Sequence, residues 1–264
     1  MRYNGGDHAF FAGPYPRAFV HRGWHYDELS GMENSLSAFR RAVEEGYQYL
    51  ETDVHATSDG VVVVHHDPVL DRTTDGHGEV ARLPWRTVRE ARIGGREPVS
   101  RLEDLLEELP RALLNIDVKA ESAIEPLVEA LKRTGSLGRV CVASFSEARL
   151  ARVRQLAGGD VLTSMGTRAI ARLWAHGRLP QWLPRGRGAE RIAQVPVRHG
   201  RVTVVDRRLV TVARNRGVEV HVWTVDDPAQ MNELIDLGVD GLMTDRPEVL
   251  RDVLRARGLW ATTS

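Results

Sequence analysis

The chain has 264 residues, enough for one large α/β domain or two small ones, and its 42% hydrophobic content supplies a sizeable core. Its 36 acidic and 36 basic side chains cancel, so no overall field draws it to nucleic acid or to an anionic membrane, and any anion recognition has to be local. The single cysteine, Cys141, lies in an apolar run and excludes an internal disulfide. No stretch approaches the roughly 18 apolar residues of a membrane span, and the N-terminus lacks the apolar centre of a signal peptide. The expectation is a cytoplasmic chain with no integral membrane segment and no nucleic-acid partner; composition leaves the oligomeric state open.

Short β-branched runs alternate with amphipathic stretches along the chain. The first strand, "AFVHRG", precedes a helix in "SLSAFRRAVEEG", where Leu36, Phe39, Ala42 and Val43 share a face, Asn34 or Ser35 is the cap, and Gly46 is the stop. The strands "YLETDV" and "VVVVHH" come next. The "HATSDG" segment between them is too short for a parallel crossover, which needs a dozen or more residues, so the two form a hairpin. With Ser58 and Asp59 as a two-residue turn, Thr57 opposes Gly60 and Glu51 faces His66. Glu51, Asp53 and His66 then share one face; an odd-length loop would bring in His65 instead. Further strands are expected in "LLNIDVK", "RVCVASF", "DVLTSMG", "IAQVPV", "VEVHVWTV" and "DGLMTDRP", with helices between most of them. Residues 167–188 read either as a helix and loop over a site or as a surface excursion. The pattern predicts a TIM (β/α)8 barrel with an additional β-hairpin strand after strand 2, formed by residues 1–264 as a single domain.

In such a barrel the site gathers at the C-terminal strand ends. These ends carry His21 and Arg22, Glu51 and Asp53, Asp117 and Lys119, Ser144, Trp223, and Thr244 with Asp245. A closed barrel has no exposed sheet face, so these charges must be paired or bound to metal. Glu51, Asp53 and Asp117 suit a hard cation, magnesium or calcium before zinc, as well as they suit a salt-bridge network with Arg22 and Lys119. His21 and His66 offer one base and one acid, and Arg22 can fork onto two phosphate oxygens; phosphodiester cleavage needs that combination.

The motifs "HRGW", "MENSLSAF", "YLETDV", "SDGVVVVHHDPVLDRTTDGHG", "LLNIDVK", "SF", "VHVWTVDD" and "LGVDGLMTDRP" resemble, in order, those of the glycerophosphodiester phosphodiesterase family. The likeness covers about residues 19–254. It implies a metal-dependent barrel enzyme that hydrolyses a small-molecule glycerophosphodiester to sn-glycerol 3-phosphate and an alcohol. It places the acid/base pair on His21 and His66, the phosphate contact on Arg22, and one divalent metal ion, Mg2+ or Ca2+, on Glu51, Asp53 and Asp117. Lys119 is implied as a second phosphate contact and Glu33 as a metal ligand or a partner of Arg22. Trp223 closes over the glycerol moiety or is a core residue. Met32 and Ser35 depart from the usual proline and threonine beside Glu33, and Asp117 replaces the commoner glutamate. Two other functions compete: lysophospholipase D or sphingomyelinase D activity on a lipid, for which "LWAHGRLPQWLP" would have to build an apolar channel, and a non-catalytic barrel binding protein.

Overall fold

The computed structural model describes residues 8–159, 161–179 and 190–261. Its strands are β1 (Arg17–His21), β2 (Tyr49–Ala56), β3 (Val62–Val64), β4 (Arg92–Ile93), β5 (Glu97–Pro98), β6 (Leu113–Val118), β7 (Val140–Ala143), β8 (Leu162–Thr163), β9 (Ile192–Pro196), β10 (Arg198–His199), β11 (Val202–Thr203), β12 (Glu219–Trp223) and β13 (Gly241–Thr244). The helices are α1 (Leu36–Glu44), α2 (Trp85–Val88), α3 (Leu102–Glu108), α4 (Ile124–Arg133), α5 (Glu147–Ala157), α6 (Thr167–His176), α7 (Arg207–Arg216), α8 (Pro228–Leu237) and α9 (Pro247–Ala256). Eight parallel strands follow the order β8-β7-β6-β2-β1-β13-β12-β9. A parallel bridge between Ser164 and Ile192 brings the two ends together, so the fold is a TIM barrel.

Alternation along the strands sorts the core. Outward residues such as Val20, Leu50, Leu114, Ile116, Val142, Val220 and Leu242 pack with the helices in the main apolar cluster. Inward residues Phe19, Tyr49, Leu113, Cys141, Ile192 and Met243 form a second cluster, closed by Phe10 and Phe11 of the N-terminal segment. The Cys141 thiol is buried there, and burial pushes its pKa up, as befits an inert core cysteine. Below this layer Arg17, fully buried on β1, donates through Nε to Glu219 Oε2 at 2.6 Å and through Nη2 to Glu219 Oε1 at 2.7 Å. No helix among the described residues is long and apolar enough to cross a membrane.

The hairpin is present, but its register differs from the expected one. Val54 pairs with Val64, His55 with Val63 and Ala56 with Val62. Thr57 N–H donates to Val61 O at 2.9 Å, so the loop holds three residues, Ser58, Asp59 and Gly60. Gly60, at φ +81°, takes the left-handed position that a three-residue hairpin requires. Thr57 Oγ1 locks the turn by accepting from Val61 N–H at 3.0 Å and donating to Asp59 Oδ1 at 2.6 Å. Glu51 therefore does not face His66 across the ladder. Residues 68–99 then form a small satellite around Leu70, Val80, Val88, Ala91, Ile93 and Val99, packed with Met32 and Val63.

Candidate active site

The inward alternation that buries Tyr49 and Leu113 carries polar side chains up the same strands. Glu51 pairs in register with Asn115, and Asp53 with Asp117. His21 ends β1, and the next residue, Arg22, turns the chain at φ +56°. Its N–H donates to Glu51 O at 3.1 Å, and Asn34, itself at φ +61°, donates its N–H to Arg22 O at 2.8 Å. Two non-glycine residues in the left-handed region, each over-determined by hydrogen bonds, fix this corner. Ser35 rather than Asn34 caps α1, accepting from Ala38 N–H at 3.1 Å. Asn34 is instead buried against the site, donating to Asp53 Oδ2 at 3.2 Å and accepting from Thr52 Oγ1 at 2.8 Å. Met32 at the loop position before Glu33 is buried in the satellite core.

These side chains surround a cavity of about 200 Å³ at the C-terminal strand ends. Its polar wall includes His21, Arg22, Glu51, Asp53, His66, Asp117 and Lys119; Phe145, Met165, Ile170 and Trp223 stand on the apolar side. Asn115 and Gln194 also line it, joined by a 2.6 Å hydrogen bond from Gln194 Nε2 to Asn115 Oδ1. Trp223 is half-buried, lines the cavity, meets the exposed Phe145 ring edge-on at 5.8 Å and also packs against the inner core cluster, so it is both a wall of the cavity and an edge of the core. Helix α6 reaches the rim through Ile170, whereas the Trp174 indole turns away to donate to Thr203 O at 3.4 Å. Residues 180–189 of the segment considered as a lid or channel lie outside the described residues.

Lys119 Nζ bridges Asp53 Oδ1 at 2.8 Å and Asp117 Oδ2 at 2.6 Å. Arg22 Nε lies 3.1 Å from Asp53 Oδ2, and its Nη1 donates to Glu33 Oε1 at 3.2 Å. Burial pushes the Asp53 carboxyl up, but Lys119 and Arg22 outweigh it and hold the group below the ordinary range. Asp117 is raised by burial. Glu51 is the group left short of positive charge: burial, then the Asp53 charge, pushes it up to about 8. Among the described residues no three carboxylate, histidine or cysteine side chains form a ready-made cage. A donor set made only of carboxylate oxygens, one of them uncompensated and buried, nevertheless fits a hard divalent cation.

Each histidine has its own carboxylate. His21 Nδ1 lies 2.6 Å from Asp245 Oδ1, and His66 Nδ1 lies 2.5 Å from Asp67 Oδ1. Burial raises the Asp245 pKa, but hydrogen bonds from His21 and His25 hold it well below the usual range. The Arg72 hydrogen bond does the same for Asp67. Ionised carboxylates only accept, so the hydrogen sits on Nδ1 in both rings. His21 Nε2 is left 3.7 Å from Glu51 Oε2, and burial, which favours neutral imidazole, is outweighed by Glu51 and Asp245, so its pKa is raised.

His66 reaches the cavity although the hairpin register is shifted. The strand ends at Val64, His65 N–H donates to Asp53 O at 2.9 Å, and the chain then bends. His65 is buried with its Nε2 2.9 Å from Val69 O, so the odd-length loop does not bring it into the site. Glu33 stands behind Arg22, outside the cavity lining. Arg72 clamps it through Nη2 to Oε1 at 2.7 Å and Nη1 to Oε2 at 2.9 Å. The same guanidinium donates through Nε to Asp67 Oδ2 at 2.5 Å. Asp67, Arg72, Asn34 and Asp245 are thus residues to which sequence reasoning gave no part in the chemistry; Asn34 stood as a candidate helix cap, Asp245 among the strand-end groups, and Asp67 directly follows His66.

An eight-stranded barrel whose mouth holds two carboxylate-bound imidazoles beside two fixed cations has the groups that a barrel hydrolase acting on phosphate esters requires. Comparison with known proteins agrees. The model of the glycerophosphoryl diester phosphodiesterase family matches residues 21–249. A probable glycerophosphodiester phosphodiesterase 2 of Mycobacterium tuberculosis is 42% identical over 254 residues, covering 92% of each chain. The crystal structure of a protein described as a "putative glycerophosphoryl diester phosphodiesterase" from Silicibacter pomeroyi shares the fold at TM-score 0.77 and 22% identity, over 94% of this chain and 96% of that one. A phosphodiesterase from Oleispira antarctica, solved in complex with the product sn-glycerol-3-phosphate, superposes at TM-score 0.72 and 20% identity, over 91% and 97% of the chains. The chain belongs to the glycerophosphoryl diester phosphodiesterase family and is a phosphoric diester hydrolase. The reading as a non-catalytic binding protein is thereby set aside.

Proposed function

We propose that the enzyme cleaves glycerophosphodiesters in two steps, through a cyclic glycerol phosphate, to sn-glycerol 3-phosphate and an alcohol. The observation that carries this reading is the pair of imidazoles at one cavity, each anchored by Nδ1 to its own carboxylate, so that two Nε2 atoms remain for proton transfer. In the first step one of His21 and His66 takes the proton of the glycerol 2-hydroxyl, whose oxygen bonds to phosphorus. The bond from phosphorus to the alcohol oxygen breaks, and the other histidine protonates the departing alcohol. In the second step water gives a proton to the histidine that has just lost one. Its oxygen bonds to phosphorus, and the 2-oxygen leaves with the proton held by the first histidine.

Arg22 and Lys119 supply positive charge to the phosphoryl oxygens, at the cost of loosening their contacts with Asp53 and Asp117. Glu51, Asp53 and Asp117 would hold a divalent cation, Mg2+ or Ca2+, which when bound neutralises phosphoryl charge. Trp223 and Phe145 support the reading by giving the glycerol carbons or the alcohol an apolar wall. Asn34 and Arg72 are positioning residues, acting through Asp53 and through Glu33 and Asp67. The test is a glycerophosphodiester analogue lacking the 2-hydroxyl. The cyclic route predicts binding within a few fold of the normal substrate with no measurable cleavage; cleavage at a comparable rate would show direct attack by water.

A further inference from the structure

The balanced net charge of the chain conceals a one-sided distribution. Residues 161–179 and 190–217 together contain ten arginines and only two carboxylates, Glu190 and Asp206, within a chain that has 36 of each sign. Arg168 and Arg172 are exposed on α6, Arg198 and Arg201 on the β10–β11 hairpin, and Arg207 and Arg208 on the first turn of α7. Among the described residues none of these six side chains forms an ion pair, and Asp206 is occupied as the cap of α7 and by Arg178 at 2.6 Å.

Contacts join these pieces into one surface beside the cavity. Thr167, at the start of α6, donates through its N–H at 3.1 Å and its hydroxyl at 3.0 Å to Phe145 O. At the other end of α6, Trp174 donates to Thr203 O on the hairpin, and the Arg178 guanidinium stacks 3.4 Å above the Trp174 ring while reaching Asp206. The same sector carries the three most exposed large apolar side chains among the described residues: Phe145 at 63%, Val202 at 48% and Leu179 at 44%. Phe145 also lines the cavity mouth. One carboxylate lies inside this sector, Glu147, whose Oε1 is taken up by the N–H groups of Arg168 and Ala169 at the start of α6, and the exposed Asp226 and Asp227 lie on the β12–α8 loop.

We propose that this arginine-rich face docks the enzyme on an anionic lipid surface, with the cavity mouth turned toward the headgroups. Unpaired guanidiniums recognise lipid phosphates, and the apolar tips between them enter the interface, a combination suited to peripheral adsorption and not to spanning. The balanced total charge makes this attraction local and strongly screened by salt. Nucleic acid would satisfy the arginines but gives Val202 nothing to bury against. The proposal concerns where the enzyme sits and requires no particular route of hydrolysis.

Vesicle flotation tests it. The full chain is mixed with vesicles of phosphatidylcholine alone or of equimolar phosphatidylcholine and phosphatidylglycerol, at low and at high salt. It should float with the anionic vesicles at low salt and be released by high salt. Each basic residue near such a surface contributes about a fivefold factor, so Arg198→Glu/Arg201→Glu should lower partitioning at least about 25-fold. Thermal melting checks that this variant is folded, and Arg168→Glu/Arg172→Glu provides a second pair on a different element. Equal partitioning to neutral and anionic vesicles, no flotation at low salt, or unaltered flotation of both folded variants would overturn the proposal. So would tighter binding to a short DNA duplex than to the anionic vesicles at the same salt.

Discussion

Arg72 touches two carboxylates that in turn touch Arg22 and His66, so one guanidinium sets the direction of two groups to which the proposed mechanism gives work on the phosphate. Lysine has one point of charge and lacks the planar fork, so it cannot reproduce the two-oxygen grip on Glu33 together with the Nε contact to Asp67. Arg72→Ala should lower kcat by about 10-fold to 100-fold, the range seen when a supporting hydrogen bond is removed from a site, with KM changed little. Arg72→Lys should recover only part of that loss. A purely structural role would instead lower the melting temperature and leave the kcat of the folded fraction intact. Arg72 was hard to see in the sequence because its value lies in geometry: Glu33 is 39 positions away and Asp67 five. Strand-end alternation exposed Glu51, Asp53, Asp117 and Lys119, because each points inward by the period of its own strand. Asp245 was visible as a polar strand end, but its pairing with His21 depends on β1 lying beside β13, which no local pattern contains.

The hairpin after β2 shows what a local pattern decides and what it leaves open. The short connection required an antiparallel return, and β3 makes one. The turn type depended on whether Gly60 closes a two-residue turn or takes the left-handed place in a three-residue one, and the Thr57 hydroxyl bonds favour the latter. Alternation then fails because the chain bends away just after the His65 N–H bond to Asp53 O, which is why His66 and not His65 faces the cavity. His65 has a structural place: burial lowers its pKa, so the neutral ring sits against Val69 O. His65→Ala should therefore cost about 1–3 kcal/mol of stability through a lost buried hydrogen bond and a cavity, while kcat stays within a few fold of the parent. A large loss of kcat at unchanged stability would place His65 in the chemistry after all.

Across the whole molecule, the alternation of strands and helices made the barrel legible, whereas the closure of its floor was not. The floor depends on Phe10 and Phe11 from the N-terminal segment and on the buried pair Arg17 and Glu219, residues 202 positions apart. Burial raises the Glu219 pKa, but hydrogen bonds from Arg17 and His221 bring it down to about 2 from 4.5. A carboxyl depressed in the folded state stabilises the protein above its unfolded pKa, and that stability drains away as pH falls from the unfolded toward the folded value. The parent should thus lose roughly 3 kcal/mol from this group between about pH 4.5 and pH 2. Glu219→Gln should be destabilised by about 3–5 kcal/mol near neutrality, because Arg17 is left buried without its counter-charge. Its denaturant midpoint should then be flatter than the parent's across the acid range, and parallel curves for the two proteins would refute the assignment. The site above this floor is tested most directly by sn-glycerol 3-phosphate release from a water-soluble glycerophosphodiester, measured for the parent with and without chelator and for His21→Ala and His66→Ala. The account predicts release by the parent, loss of it on chelation with recovery on adding Mg2+ or Ca2+, and a fall of at least about 100-fold in each variant. Release that survives exhaustive metal removal, or that persists within a few fold of the parent in either histidine variant, would contradict it.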